Sequence, residues 1–277
     1  MPTVAQLLRA ARHLPGDSAR RDVEILLCHA MEKPRTWLYT WPEFEVQSTA
    51  LAQFEQLLAS RKRGHPVAHL IGRREFWSLN LRVNEHTLIP RPETEALVEW
   101  ALGLALREDA DVLDLGTGSG AIALALASER PGWRLSAVDT SSQALAVAKE
   151  NAREFGLGRV QFLLSDWFDA LAGLRYHLLL SNPPYIEEGD AHLARGDLRF
   201  EPKSALMAAE QGMADLATLV ENAPGHLCGG GWLLLEHGHK QGQQLRSLLA
   251  RRGFDHIETR RDLAGLERVS GGQWHAQ

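Results

Sequence analysis

The sequence predicts an α/β fold, with a doubly wound, mostly parallel sheet of seven strands preceded by a small helical bundle. Three observations lead to this prediction. Short aliphatic runs alternate with amphipathic segments between residues 95 and 252, a glycine-rich turn follows the first buried run, and residues 1–72 have helical periodicity. Strand–helix alternation of this length is typical of a parallel sheet with helices on both faces.

The N-terminal domain is predicted to span residues 1–72 and to contain four helices. Apolar side chains from Val4 to Leu14 fall on one face of the first helix, which Pro15-Gly16 end. Asp17 is predicted to cap the second helix; a short third helix is expected at 36–39 and a fourth helix at 48–60. No catalytic constellation occurs here. We therefore expect this domain to dock a substrate, with a simple packing role as the alternative.

Residues 73–86 are predicted to form a β-hairpin linker, because apolar residues alternate from Phe76 to Val83. The main domain is predicted to span residues 87–277. Its strands are expected at 112–115, 134–138, 160–164, 177–180 and 231–235, with a final pair after Phe254. Its helices are expected through Ala105 and at 121–129, 141–155, 213–227 and 241–252.

The composition is that of a globular protein, and it limits the classes of partner. The formal net charge is -5, whereas a protein that makes long contacts with duplex DNA needs a positively charged surface. Basic runs such as 61–63 are therefore expected to lie on solvent-exposed faces. The sequence has no signal-peptide pattern and no apolar run of about 18 residues. Cys28 and Cys228 form no metal or redox motif. We expect a cytoplasmic protein with no membrane partner.

A glycine-rich turn, Asp114-Leu-Gly-Thr-Gly-Ser-Gly120, follows the first strand and opens a helix. Glycines permit a tight turn and let the backbone approach a ligand closely. Their spacing is G-x-G-x-G, whereas dinucleotide-binding dehydrogenases have G-x-G-x-x-G. The preceding Asp114 favours a ligand with a cationic ammonium over one with a pyrophosphate. S-adenosylmethionine has such an ammonium and carries no phosphate.

Three residues after the next two strands are predicted to complete this site. Asp139 ends the second strand, where a carboxylate accepts hydrogen bonds from the ribose hydroxyls of any nucleoside cofactor. Asp166 and Trp167 follow the third strand. The aspartate is expected to accept from the adenine amine and the indole to stack on the adenine ring. A helix cap and a surface aromatic are the alternatives for this pair.

The tetrapeptide Asn182-Pro-Pro-Tyr185 follows the fourth strand. Each proline fixes its own φ, pushes the preceding residue into an extended conformation and keeps a carbonyl acceptor without an N–H donor. This stiff acceptor array suits a planar –NH2 group whose hydrogens are held while its nitrogen attacks; a structural turn is the alternative. If strand order reverses between the first and fourth strands, the methyl donor and this array face each other.

Several segments together resemble the HemK/PrmC methyltransferases: the glycine turn, Ser-Asn-Pro-Pro-Tyr-Ile at 181–186, Ile-Pro-Arg-Pro-Glu-Thr-Glu at 89–95, Arg-Phe-Glu-Pro at 199–202, and residues 233–238 and 267–269. Members of that family methylate the side-chain amide nitrogen of the glutamine in the Gly-Gly-Gln tip of peptide-chain release factors. The resemblance implies a Rossmann-like, class I S-adenosylmethionine-dependent methyltransferase domain. It also implies release factors as the partner.

Residues and resemblance together predict the site. S-adenosylmethionine is expected to be bound by residues of the turn and of the strand ends: Asp114, Gly116, Thr117, Gly118, Ser119, Gly120, Asp139, Asp166, Trp167 and Asn182. The substrate amide is expected to be held by Asn182, Pro183, Pro184 and Tyr185. In the proposed chemistry, the Asn182 oxygen and the Pro183 carbonyl accept its two hydrogens, while Tyr185 stacks on its plane. Arg91 and Glu201 lie in matching loops without an assigned role.

Two other functions remain open at this stage. An adenine-N6 DNA methyltransferase uses the same acceptor array on an exocyclic amine, although this chain has no obvious target-recognition insertion. A non-catalytic module that only binds S-adenosylmethionine has no use for the tetrapeptide. No metal is predicted, because His237 and His239 lack a third ligand. The tripeptide Gly271-Gly272-Gln273, identical to the expected target, is interpreted as coincidence.

Overall fold

The computed structural model describes residues 1–14, 18–194 and 196–275. These residues form two compact units. The first contains Met1–Arg73 together with Ala194–Phe200, and the second contains Arg74–Leu193 and Glu201–Gln277. The inclusion of the later stretch in the first unit was not predicted, because nothing in its local sequence indicates it. The domain boundaries predicted at residues 72 and 86 stay predictions.

The first unit is helical. Its α-helices are α1 (Val4–Leu8), α2 (Ala19–Met31), α3 (Arg35–Thr40), α4 (Ser48–Lys62) and α5 (Val67–Ile71). The single first helix that was predicted is wrong in its second half, because a 3-10 helix continues from Arg9 to His13. The predicted cap Asp17 lies outside the described residues. Helix α5 was not predicted.

One basic residue of this unit is not solvated as predicted. The Arg61 side chain is only 17% exposed, and it donates to Asp22 and to Asp197, at 2.8 Å in each case. Asp197 belongs to the stretch Ala194–Phe200, so this ion pair helps to hold that stretch in the first unit. The apolar core around these helices includes Leu26, Leu27 and Phe54, which are all almost completely buried.

The second unit begins with the hairpin that the alternating sequence predicts. Strands β1 (Arg73–Phe76) and β2 (Leu79–Arg82) form a two-stranded sheet, with β1 starting at the last residue of the first unit. Trp77 and Ser78 connect the strands with φ values of +50° and +61°. Positive φ at both turn residues is the pattern of a type I′ turn, whose twist suits a hairpin.

The remaining strands are β3 (Asp111–Leu115), β4 (Arg134–Asp139), β5 (Gln161–Leu164), β6 (Tyr176–Ser181), β7 (Ile186–Glu187), β8 (Met207–Ala208), β9 (Leu227–Glu236), β10 (Asp255–Arg261) and β11 (Glu267–Trp274). Seven of them form the main sheet in the order β10-β11-β9-β6-β3-β4-β5. Strand β11 runs antiparallel to both of its neighbours, β10 and β9, whereas the other adjacent strands of this sheet are parallel. This confirms the predicted doubly wound, mostly parallel, seven-stranded sheet. Strand order reverses between β3 and β6.

Helices cover both faces of this sheet: α6 (Glu95–Gly103), α7 (Ala121–Glu129), α8 (Ser142–Glu154), α10 (Ala214–His226) and α11 (Gly242–Arg252). The four-residue helix α9 (Ala209–Gly212) packs against β7 and β8 instead. Alternate strand residues face opposite layers. Leu178 and Leu180 join the core that contains α7, whereas Leu179 joins the core that contains α10 and α11. Both faces are therefore apolar, which explains the continuous aliphatic runs in the sequence.

The segment between β6 and α10 was not predicted in detail. It contains the short sheet of β7 and β8 and the 3-10 helices Ala191–Ala194, Gly196–Phe200 and Lys203–Ala205. These elements are too short to produce a periodic pattern. Among the described residues, no helix is both long and apolar enough to cross a membrane.

Candidate active site

A cavity of about 390 Å³ opens at the carboxyl ends of β3, β4 and β6. Strands β3 and β6 are parallel neighbours in which Leu115 pairs with Ser181, so the glycine turn and the tetrapeptide leave the sheet side by side. This confirms the predicted adjacency. The cavity wall includes seven of the predicted residues: Gly116, Gly118, Asp139, Asp166, Trp167, Asn182 and Pro184.

The glycine turn is built from backbone that other residues rarely adopt. Gly116, Gly118 and Gly120 have φ values of +74°, +56° and +85°. The amides of Gly116 and Thr117 both donate to the Val138 carbonyl at 2.9 Å, which ties the turn to β4. A Cβ on Gly118 meets no atom within 4 Å, because this glycine borders the open cavity. The turn thus forms a backbone cradle for a ligand.

Asp114 lies beneath this cradle and not in the cavity wall. Its carboxylate is fully buried and accepts from the Thr117 hydroxyl at 2.6 Å and from the Ala123 amide at 3.3 Å. Burial raises the pKa of this carboxyl from 3.8 to about 7. Its second oxygen has no hydrogen-bond partner among the described residues. The hydrogen bonds of Asp114 stabilise the glycine turn. A direct contact between Asp114 and the ammonium group of a ligand stays a prediction.

The contacts of Ser119 and Gly120, two other predicted residues of the turn, also stabilise the fold. Ser119 is buried, and its carbonyl accepts from Asn151, whose side-chain oxygen also accepts from the Arg82 amide of the hairpin. Gly120 is the N-cap of helix α7, and a Cβ built on it lies 3.1 Å from Leu124. Asn151 was missed by sequence reasoning, since it reads as an ordinary polar residue in the last turn of an amphipathic helix.

Asp139 has the geometry expected of a ribose acceptor. Its two oxygens accept from the amides of Gly118 and Ser141, at 2.8 Å and 2.9 Å. Each carboxylate oxygen accepts more than one hydrogen bond, so acceptor capacity remains for hydroxyls in the cavity. The same contacts fix the turn after β3 relative to β4.

Trp167 forms the far side of the cavity. It has a φ of +40°, an uncommon value for a bulky residue, and its ring lies 3.4 Å from a Cβ built on Gly116. Asp215 also lines the cavity; burial raises the pKa of its carboxyl, and the nearby Trp167 side chain lowers it in part. Asp166 is exposed at the cavity rim. Asp215 was missed by the sequence analysis, because it reads as an ordinary acidic residue in the first turn of a helix.

Asn182 has a defined side-chain orientation. Its Nδ2 donates to the Thr94 hydroxyl at 3.2 Å. Thr94 therefore holds the nitrogen of this carboxamide and leaves its Oδ1 for another partner. The preceding Ser181 hydroxyl donates to the Leu115 carbonyl at 2.7 Å, which locks the end of β6 onto β3. Thr94 is 4% exposed and was not predicted as part of the site.

The other residues of the tetrapeptide are held by contacts outside the cavity. Pro184 lines the cavity, whereas Pro183 is buried and Tyr185 is partly buried, and neither belongs to the cavity wall. The Tyr185 hydroxyl donates to Glu236 at 3.2 Å, and burial raises the pKa of this phenol. The Tyr185 carbonyl accepts from the Gln241 amide at 3.1 Å. The contact of Pro183 and Tyr185 with a substrate amide stays a prediction.

Arg91, which is partly exposed, and the buried Glu201 form an ion pair next to the site. Glu201 also accepts from the Ile89 amide at 2.9 Å. The neighbouring residues Leu88 and Pro202 line the cavity, so this pair holds together two loops of its wall. Other lining residues that the sequence analysis missed are Glu85, His86, Ser141, Gln143, Ser204 and Ala205.

Two minor predictions concern residues near the C-terminus. No group of three metal-ligating side chains occurs in the described part of the chain. The tripeptide Gly271-Gly272-Gln273 lies within β11, paired with β9 and β10, and the Gln273 amide donates to the Gly230 carbonyl at 2.8 Å. A Cβ on Gly271 falls 2.4 Å from Leu234. Packing within the sheet therefore explains these glycines, in agreement with the interpretation that the match to the Gly-Gly-Gln target is a coincidence.

Comparison with known proteins agrees with this architecture. The PrmC N-terminal domain matches residues 4–72, and the methyltransferase small domain matches residues 94–199. A methyltransferase from Pyrococcus furiosus has a similar fold, with a TM-score of 0.55 and 14% identity over 80% of this chain and 98% of that one.

Two curated relatives extend over almost the full length. The release factor glutamine methyltransferase of Vibrio cholerae is 48% identical over 99% of this chain and 98% of its own. That of Pseudomonas aeruginosa is 51% identical over 99% of each chain. Both alignments extend over the two units, and the chain belongs to the release factor glutamine methyltransferase family.

Proposed function

We propose that this protein transfers a methyl group from S-adenosylmethionine to the side-chain amide nitrogen of the glutamine in the Gly-Gly-Gln motif of peptide-chain release factors. Family membership supports the reaction and its substrate class. The single structural observation that carries the proposal is the orientation of the Asn182 carboxamide beside the cavity. With its nitrogen committed to Thr94, its oxygen is the atom left to accept a hydrogen from a substrate amide.

The chain's residues fit the cofactor. The backbone cradle at Gly116 and Gly118 has room for a ligand, Asp139 has acceptor capacity for ribose hydroxyls, and Trp167 offers a ring face for adenine. When bound, S-adenosylmethionine supplies an electrophilic methyl group on a sulfonium. A cavity of about 390 Å³ is large enough for a ligand of this class.

An amide nitrogen is a poor nucleophile, because its lone pair is delocalised into the carbonyl. The Asn182 oxygen and the Pro183 carbonyl accept its two hydrogens, and their dipoles stabilise the positive charge that develops on nitrogen as it attacks. Both acceptors are fixed before the substrate arrives, since prolines restrict the backbone and Thr94 holds the carboxamide. The excess proton leaves the methylated nitrogen after transfer, so no strong general base is required beforehand.

The N-terminal unit docks the release factor in this proposal, while the cavity receives its glutamine. A cytoplasmic location follows from the substrate, because release factors act on translating ribosomes. Methylation at the tip that enters the ribosome modulates translation termination. Duplex DNA is not a substrate in this account.

The test is to incubate the protein with S-adenosylmethionine labelled on its methyl group and a release factor. The label is expected on the glutamine of the Gly-Gly-Gln motif and is expected to be absent when that glutamine is replaced by alanine. Duplex DNA is the parallel substrate. Label in DNA but not in the release factor overturns the proposal in favour of an adenine methyltransferase, and cofactor binding without any transfer overturns it in favour of a binding module.

A further inference from the structure

Glu236 is a buried carboxylate that the proposed chemistry does not yet use. It is the last residue of β9, where Leu235 pairs with Ser181 of the neighbouring parallel strand. Its position therefore places it beside the start of the tetrapeptide. Glu236 is 0% exposed. A fully buried carboxylate is costly unless it has partners, so its contacts call for an explanation.

Glu236 contacts the acceptor array at Tyr185 and interacts with Thr94, the partner of Asn182. Its Oε1 accepts from the Tyr185 hydroxyl at 3.2 Å. The Thr94 side chain makes a second, looser polar contact with the same carboxyl and favours its charged form. The Oε2 atom has no close hydrogen-bond partner among the residues that the structure describes.

The proton of the Thr94 hydroxyl decides which way the Asn182 carboxamide faces. A hydroxyl has one hydrogen and two acceptor lone pairs. Since Thr94 accepts from Asn182 Nδ2, its own hydrogen is available for another acceptor, and the Glu236 carboxyl interacts with this side chain. A carboxylate only accepts, so it keeps Thr94 in the acceptor role toward Asn182. The Asn182 oxygen is then left for the substrate.

We infer that Glu236 is a positioning residue, which acts through Thr94 to fix the Asn182 carboxamide and directly to fix the Tyr185 ring. This inference rests on the proposed function, because it assigns a role in orienting the acceptors of that reaction. The substitution Glu236→Gln removes the constraint, since the new –NH2 group donates to Thr94 and lets the Thr94 hydroxyl donate to Asn182. The Asn182 carboxamide then turns over and presents a donor to the substrate.

Charge at Glu236 depends on pH in the working range. Burial raises the pKa of this carboxyl from 4.5 to about 7, and Glu93 raises it further, whereas Arg268 and the hydroxyls of Thr94 and Tyr185 lower it. Protonation gives the carboxyl a hydrogen to donate, with the same effect on Thr94 as the glutamine. The rate of methyl transfer is therefore expected to fall as the pH drops through about 7.

The experiment compares Glu236→Gln, Thr94→Val and Thr94→Ser in the full-length protein with a release factor as substrate. Glu236→Gln and Thr94→Val are each expected to lower kcat by roughly 100-fold, the effect of misplacing a reacting group, with little change in the affinity for S-adenosylmethionine. Thr94→Ser keeps the hydroxyl and is expected to retain most of the activity. The double variant that combines Glu236→Gln with Thr94→Val is expected to be no slower than either single variant, because the two side chains act as one unit.

Two further readouts separate positioning from folding. The melting temperature of Glu236→Gln is expected to equal or exceed that of the wild type, since a buried charge is removed. The side-chain amide resonances of Asn182 are expected to shift in this variant in the absence of any substrate. Asp111→Asn, an acid-to-amide change at the opposite end of the sheet, is the matched control and is expected to keep the wild-type kcat.

The outcomes distinguish this inference from the proposed function. If the wild type methylates the release factor and Glu236→Gln retains its kcat, or shows unshifted Asn182 resonances, the inference is wrong and the function stands. If the wild type does not methylate the release factor, the function fails first, and the Asn182 resonances alone then decide the inference.

Discussion

The cofactor wall and the acceptor wall of this site are built in different ways. The turn from Asp114 to Gly120 is held mainly by contacts within one strand–turn–helix segment and with the adjacent strand β4. The acceptor wall depends on distant partners: Asn182 contacts Thr94 across 88 positions, and Tyr185 contacts Glu236 across 51. A local segment repeats its geometry wherever its sequence occurs, whereas a long-range network exists only in the complete fold.

This difference predicts different responses to mutation. Changes in the cofactor wall are expected to alter binding of S-adenosylmethionine and local backbone stability. Changes in the acceptor wall are expected to alter kcat while the fold and cofactor binding remain. A cofactor-wall variant that lowers kcat alone, or an acceptor-wall variant that weakens cofactor binding, contradicts this comparison.

The largest effect is expected for Asn182→Ala. It removes an acceptor that stabilises developing charge, an effect worth about 2.7–4 kcal/mol for comparable groups, so kcat is expected to fall by about 10²–10³-fold. Steady-state kinetics with a release factor measures it. The control is Asn222→Ala on an exposed face of α10, which is expected to be silent. A kcat near that of the wild type in a folded Asn182→Ala protein refutes the role of Asn182.

The second prediction concerns pH and the buried Asp114. Its pKa is raised to about 7 by burial, so its contribution to stability is fully present below pH 4 and is lost as the pH rises through about 7. From this shift, the loss is on the order of 4 kcal/mol. Denaturant unfolding without cofactor, at pH 4 to 8, is expected to show a smaller decline in the free energy of unfolding for Asp114→Asn. Parallel curves for the two proteins contradict this explanation.

Gly118→Ala sharpens the comparison on the cofactor side. The added Cβ enters the cavity, and the positive φ costs roughly 1–2 kcal/mol for a residue with a side chain. Titration calorimetry is expected to show weaker binding of S-adenosylmethionine by about tenfold or more, an order-of-magnitude expectation from the lost backbone approach. Gly156→Ala has a similar positive φ and open surroundings outside the cavity, so it is the matched control for strain. Equal losses of binding in both variants rule out a cradle role.

The smallest effect is expected for Asp215→Ala. It removes the polar partner of the Trp167 side chain, an interaction comparable to a hydrogen bond of about 0.5–1.5 kcal/mol, and is therefore expected to weaken cofactor binding by about 2- to 13-fold without a change in kcat. Fluorescence of the bound complex against cofactor concentration measures it. Asp169→Ala, an exposed residue outside the cavity wall, serves as the control. An unchanged affinity in Asp215→Ala shows that the indole needs no such support.

The same contrast between local and long-range contacts explains which parts of the fold and site could be predicted from the sequence. The glycine turn, the sheet and the adjacency of Gly116 and Asn182 follow from local patterns and from the rule for strand order. Thr94, Asp215 and Glu236 could not be found in this way, because each resembles an ordinary residue in its own segment. Their roles arise only when distant elements meet. Burial of Asp114 was missed for a similar reason, since an acidic residue before a turn gives no sign of which side it faces.

The most direct test is a crystal structure of the protein with S-adenosylhomocysteine and a release factor that carries the Gly-Gly-Gln motif. The account predicts the glutamine side-chain amide nitrogen within hydrogen-bond distance of Asn182 Oδ1, with Asn182 Nδ2 still on Thr94. A glutamine amide held elsewhere, or an Asn182 carboxamide turned over in the complex, contradicts it.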